Sequence, residues 1–347
     1  MGKEQEKSFD TKLKEAIKTR CLGGNERDKS KDDPYVRDYE YYFKELEDNL
    51  ICEMTDSTRK AYIRGSGSEL QPPKMHAIHS SSAMTFNIFG NVGKNPEDTP
   101  VEITDSSILP KGKYKLEYEK QLPAVKSPAN LDVCLTSDDN ILLFEMKMTE
   151  WLSDHAQPKK LSATYLKDDV YPNKDEKDIS FRGVMQELMW NYIPGGKGNP
   201  VKKEYRCETK HFDAFQIMLH IFAIYKALHI NKYPDEYKKI NDNYRLPTTP
   251  KNITLVIGYW TVPEKNFLTN NEDYEIYKKM EGAMQDEIEK FTKKSELKSI
   301  KDLFLENFNV TFDVKARTVA KIYDCLEKND EEREAFEKRY LLWTKEK

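Results

Sequence analysis

Charged stretches alternate with a few compact apolar runs along the 347 residues of the chain. Two of these runs flank a turn. Asn130–Leu135 and Ile141–Lys147 both read as strands, and Ser137-Asp138-Asp139-Asn140 between them is a cluster of turn formers. Ile141 to Met148 is apolar on both faces except for Glu145 and Lys147, which predicts a central strand covered on both sides. Tyr114–Leu122 alternates and predicts a further strand, with Glu117 and Glu119 on one face. Ile253–Trp260 is a short buried run with the same meaning. Helical spacing governs other segments. Met75–Gly90 is small and apolar, with Gly90 as a stop, and Phe181–Tyr192 carries Met185, Leu188 and Met189. Phe212–Leu228 is the strongest helix, with Phe215, Met218, Leu219, Phe222 and Ala223 as its stripe.

The ends are more polar. Residues 1–65 are heavily charged, with helical patches at Lys12–Ile17 and Tyr39–Met54 and a glycine-containing joint at Gly23–Lys29. Gly65–Pro73 and Asn91–Lys113 read as loops, and Pro194–Pro200 punctuates the two middle helices. Beyond Pro263 the chain is mostly helical and charged, with a candidate strand at Val310–Val314. No internal repeat is visible. The order predicts an α/β fold, a mixed central sheet flanked by helices with helical N- and C-terminal extensions. The expected division is a charged helical arm over 1–65, an α/β core over 66–265 and a mostly helical extension over 266–347.

Composition narrows the class. Lys and Arg number 56 against 60 Asp and Glu, a net charge of −4, which argues mildly against a protein coated in nucleic acid. Only the field near the phosphates matters, so it excludes nothing. Mean hydropathy is −0.82, yet 20 Tyr, 15 Phe and 4 Trp suffice to build a core. The five cysteines are widely spaced without C-x-x-C, which predicts a reduced interior. No run is long enough for a membrane span, and the charged start lacks a signal-peptide core. Gly2 alone is a weak lipidation signal, so a cytoplasmic location is the expectation.

The chemistry concentrates in the hairpin. If it turns between Asp138 and Asp139, opposed residues have numbers summing to 277, so Asp132 faces Glu145 and Lys147 follows on the same face. Like charges ~5 Å apart and partly desolvated raise a pKa or recruit a cation. Magnesium or manganese suits this donor set, because hard cations take carboxylates, carbonyls and phosphate oxygens. The carbonyl of Met146 is a further candidate ligand. The alternative is a solvated hairpin edge with a weak Glu145–Lys147 pair, against which Ile141, Leu143 and Phe144 speak.

No phosphate-binding glycine loop, H-E-x-x-H or G-x-S-x-G occurs, and the six histidines form no zinc or triad pattern. Gln216 and His220 lie one helical turn apart, either aimed at the site or satisfied locally. Gln186 has the same ambiguity. Ser80, Ser81 and Ser82 either cap a helix, touch phosphate or permit close packing. Trp151 and His155 read as packing or loop residues more than substrate contacts. The pairs Lys159-Lys160, Lys202-Lys203 and Lys293-Lys294 read as solvated surface more than phosphate holders.

Asp132 followed by Glu145-x-Lys147 resembles the signature of the PD-(D/E)xK nuclease superfamily, the restriction-endonuclease-like fold. Asn130-Leu131-Asp132 replaces the usual proline–aspartate pair. The stretches Pro73–Ala83, Phe86–Gly90 and Phe144–Glu150 resemble a bacterial restriction-endonuclease-like group, and the likeness covers roughly residues 65–262. It implies Asp132 and Glu145 as metal ligands, Lys147 as the catalytic lysine, and an additional acid on the preceding strand, Glu119 first and Glu117 second. Gln216 would reach the site from its helix, as a Gln does in some members. The implied activity is Mg2+- or Mn2+-dependent endonucleolytic cleavage of DNA. A homodimer is left open, without a coiled-coil seam. A non-catalytic nucleic-acid- or protein-binding module of the same fold is the rival.

Overall fold

The structure is a computed structural model that describes residues 8–21, 35–36, 39–65, 68–90, 99–125, 127–152, 163–190, 209–241, 244–246, 250–263, 267–268 and 270–341. Its centre is a mixed six-stranded sheet. The strands are β3 (Val101–Ile103), β4 (Gly112–Leu122), β5 (Ala129–Thr136), β6 (Asn140–Lys147), β7 (Asn252–Tyr259) and β8 (Thr311–Thr318), in that spatial order. β3 to β6 run antiparallel in sequence, and β6, β7 and β8 are parallel. The parallel pairs need long crossovers. Between β6 and β7 the chain forms α4 (Glu176–Trp190) and α5 (Ala214–Lys232), and between β7 and β8 it forms α6 (Asn271–Thr292) and α7 (Ser295–Phe308).

The hairpin register follows from the turn. Ser137 N–H donates to the Asn140 carbonyl at 2.9 Å, and the Ser137 hydroxyl accepts from Asn140 N–H. The observed pairs Val133–Phe144, Cys134–Leu143, Leu135–Leu142 and Thr136–Ile141 all sum to 277. β6 is buried from Ile141 to Met146 because helices cover both its faces. On one face lies α5, with α7 stacking Phe304 on Phe312 of β8. On the other, Phe89 of α3 (Ser81–Phe89) meets Phe144 edge-on, and α8 (Val319–Asp324) sets Ile322 near Gly258 and Met146. α5 is buried on nearly every side, which explains an apolar content broader than the single stripe expected from its spacing.

Several elements differ from their sequence expectation. Tyr39–Met54 is not helical: β2 (Tyr39–Phe43), which pairs with β1 (Tyr35–Val36), is followed by a 3-10 turn at Leu46–Asn49. Aromatic residues suit a strand, and this one also pairs with residues 76–78 through Phe43 N–H to the His76 carbonyl and Ile78 N–H to the Tyr41 carbonyl. That pairing removes residues 75–80 from the expected Met75–Gly90 helix. α3 therefore starts at Ser81, where the Ser80 hydroxyl accepts from Ala83 N–H as its cap. The expected loop 91–113 contains β3, and the candidate strand at 310–314 is the full-length β8. Lys12–Ile17 lies in α1 (Phe9–Cys21), and α2 (Asp56–Arg64) precedes the expected loop. The joint Gly23–Lys29, the punctuating Pro194–Pro200, His155 and the lysines at 159–160 and 202–203 lie outside the described residues.

The two ends are built into the same body. Lys12 of α1 pairs with Asp273 of α6 at 3.0 Å. After α9 (Asp330–Phe336), the carbonyl of Tyr340 accepts from the Trp260 indole at 2.9 Å, and its hydroxyl accepts from the Asn87 amide at 2.8 Å. No helix among the described residues is long and apolar enough to cross a membrane.

Candidate active site

The site is a row across three strands. β4–β5 pairs sum to 251 on both sides of Glu119 and Asp132, and β5–β6 pairs sum to 277. Glu119, Asp132 and Glu145 therefore fall at one level on neighbouring strands. β6 then brings Lys147 one pleat further along the face of Glu145.

Each side chain is held differently. Glu145 is 3 % exposed; its Oε1 accepts from Lys147 Nζ at 2.6 Å and its Oε2 from His220 Nε2 at 2.9 Å. Burial alone would raise its pKa, but Lys147 and His220 outweigh burial and hold it at about 2. For Lys147 burial works against the charge, and the carboxylates of Glu145, Glu150 and Asp132 more than compensate, so its pKa is raised. Asp132 Oδ2 accepts from Met146 N–H at 2.6 Å, in place of the ladder bond that ends at Val133–Phe144. In a strand the N–H and C=O of one residue point the same way, so the Met146 carbonyl is directed towards the Asp132 side. Burial first, and then the charges of Glu145 and Glu119, push the Asp132 carboxyl well above the usual range.

Glu119 bends the backbone of β4 without shifting its register. Its φ is +51°, left-handed backbone that a glutamate rarely adopts. The consequence separates the two candidate acids. Glu117 is half-exposed and pairs with Lys120 at 3.2 Å, whereas Glu119 is 5 % exposed and lies in the row. Burial, then Glu69 and Glu145, push its pKa up to about 8. α2 ends against it, since a Cβ on Gly65 would lie 2.5 Å from Glu119 Oε2; only a glycine leaves that carboxyl its place.

α5 supplies the remaining groups. Asp213 caps it by accepting from Gln216 N–H, and the 216/220 spacing puts both side chains on the face towards β6. Gln216 lines a cavity of about 20 Å³, with Glu145, Lys147 and Tyr259 among its other walls. Among the described residues, its buried Oε1 has no hydrogen-bond partner, nor does His220 Nδ1. The cavity has room for about one water. His220 is the contact that spacing left undecided; the visible signal was its position one turn after Gln216 on a buried helix.

The other candidates lie elsewhere. Gln186 donates to Asp168 at 3.2 Å. Trp151 is buried, donates to the Met148 carbonyl and packs on Tyr259 and Tyr277. Ser82 donates to Glu69, and Lys293 pairs with Glu289. Among the described residues, no three His, Cys, Asp or Glu side chains already surround one point as metal ligands. Glu145 is turned to Lys147 and His220, and Asp132 to the Met146 amide.

The donor set nonetheless fits a hard divalent cation. Asp132 and Glu119 are held towards the neutral form by burial and by the charge of Glu145, and a bound cation would relieve that repulsion. No curated protein and no solved structure matches the chain. One family model does, over residues 14–239, a span that contains Glu119, Asp132, Glu145, Lys147, Gln216 and His220. With more than half of its length matched, the chain belongs to the family described as Restriction Endonuclease associating with ARP.

Proposed function

We propose that this protein is a Mg2+- or Mn2+-dependent nuclease that hydrolyses phosphodiester bonds in DNA by internal cleavage. The observation that carries the reading is the row Glu119–Asp132–Glu145 with Lys147 beside it. Asp132 and Glu145 would hold the cation, with Glu119 and the Met146 carbonyl as the further oxygen donors. When bound, a hard cation polarises the scissile phosphate and lowers the pKa of a coordinated water. Lys147 donates one N–H to Glu145 and has two more for the attacking water or a phosphate oxygen. Its raised pKa keeps it charged, as stabilising the negative charge that develops on phosphorus requires. Burial of Glu145 keeps competing water from its carboxylate. Family membership supports nuclease-like chemistry.

The test is cleavage of supercoiled, linear duplex and single-stranded DNA with Mg2+, Mn2+ or EDTA. Glu145→Ala and Lys147→Ala are each expected to lower cleavage by at least ~10³-fold, as the loss of a main electrostatic group does, with an unchanged circular dichroism spectrum. Full activity in Glu145→Ala would end the mechanism.

A non-catalytic binding module draws on one observation, that both oxygens of Glu145 already have cationic or N–H partners within the chain. Calorimetry separates the two: the nuclease binds Mn2+ in a Glu145-dependent way, and the module need not.

A further inference from the structure

We infer that His220 is a positioning residue that fixes the orientation of the Glu145 carboxylate for a divalent cation; this rests on the function proposed above. Its imidazole is 3 % exposed, and Nε2 lies 2.9 Å from Glu145 Oε2. Nδ1 is buried with no hydrogen-bond partner among the described residues. A carboxylate oxygen only accepts, so Nε2 carries a proton and donates it to Glu145. Each carboxylate oxygen has two lone pairs. With Lys147 on Oε1 and His220 on Oε2, both oxygens keep one for a cation, and the plane of the carboxylate is fixed by two donors on different elements.

The platform under His220 is stiff. One turn earlier on α5, Gln216 faces the cavity it shares with Glu145 and Lys147. Further along, Tyr225 and His229 donate to the buried Asp178 of α4 at 2.8 and 3.0 Å, and Asn307 of α7 donates to the same carboxylate at 3.0 Å. α5 is thus pinned to two neighbouring helices, and a hydrogen bond from it carries that rigidity to Glu145. Groups that orient a metal's ligands without touching the metal are worth 10–100-fold in affinity or activity.

Calorimetric titration of the full chain with Mn2+ is the experiment, alongside thermal melts. His220→Leu is expected to weaken Mn2+ binding about 10–100-fold. His220→Gln, whose amide nitrogen overlays Nε2, is expected to recover affinity to within a few-fold of wild type. His220→Asn, whose amide overlays Nδ1 and falls short of Glu145, is expected not to. A histidine present only for packing would move the melting temperature and leave Mn2+ affinity alone. Unchanged affinity in His220→Leu, or equal affinity in the Gln and Asn variants, overturns the inference while leaving the nuclease reading in place. Should His220→Leu fail to fold, the Gln–Asn pair decides. Absence of Mn2+ binding in the wild-type chain removes both readings together.

Discussion

Glu119 combines a left-handed backbone angle with a buried carboxyl, and each is unfavourable by itself. A non-glycine residue in that region costs on the order of 1–2 kcal/mol. Its carboxyl titrates at about 8 in the folded chain against an ordinary value of 4.5. Below pH 4.5 folded and unfolded forms are both protonated. Between 4.5 and 8 the unfolded chain loses the proton and the folded one keeps it, so stability falls as pH rises through this window. Glu119→Gln removes that dependence. In EDTA its melting temperature is expected to exceed wild type by a few degrees more at pH 8 than at pH 5. Equal offsets at both pH values, read from thermal melts, would show that Glu119 ionises as an ordinary glutamate. At this scale the row was only partly legible. Asp132 and Glu145 follow from a period of two and a turn; the reversal at Glu119 does not, because nothing in the letters Glu117-Tyr118-Glu119 announces a positive φ.

Elements are held to one another by a few buried polar groups and by close strand contacts. Asp178 on α4 is fully buried and accepts from Tyr225, His229, Asn307 and the Lys174 amide. Asp178→Ala removes the acceptor of Tyr225, His229 and the Lys174 amide, leaving Asn307 its bond to the Tyr225 hydroxyl, and is expected to cost about 3–5 kcal/mol in urea unfolding. A loss under 1 kcal/mol would mean that α4, α5 and α7 do not depend on the network. Gly258 on β7 lies beneath Met146, and an added Cβ would overlap the Met146 sulfur and come 3.0 Å from Ile322 Cδ1. Gly258→Val is expected to destabilise by roughly 1–3 kcal/mol through overpacking, as a drop in urea midpoint at unchanged slope. Strands β4 to β7 and helices α4 and α5 were legible because one period runs through each. β2 was not, since Tyr39–Phe43 forms a strand by pairing with Tyr35–Val36 and by bonding to residues 76–78, and the second contact shortens α3.

At the scale of the whole molecule, the C-terminal segment is structural. β8 pairs with β7 along its full length, and Tyr340 ties Trp260 to Asn87. Truncation after Phe308 exposes the edge of β7 and the apolar face under α8, so the shortened chain is expected to aggregate, as seen by size-exclusion chromatography. A monodisperse, folded truncation would show that residues 66–265 stand alone. The amino-acid sequence by itself determined the hairpin, its register and the placement of two acids and a lysine on one face, because alternation and turn chemistry act over a few residues. Tertiary structure alone decided which acid of β4 turns inward, that His220 meets Glu145, and that the last strand joins the sheet. Those outcomes depend on contacts between residues tens to hundreds of positions apart, where local periodicity carries no information.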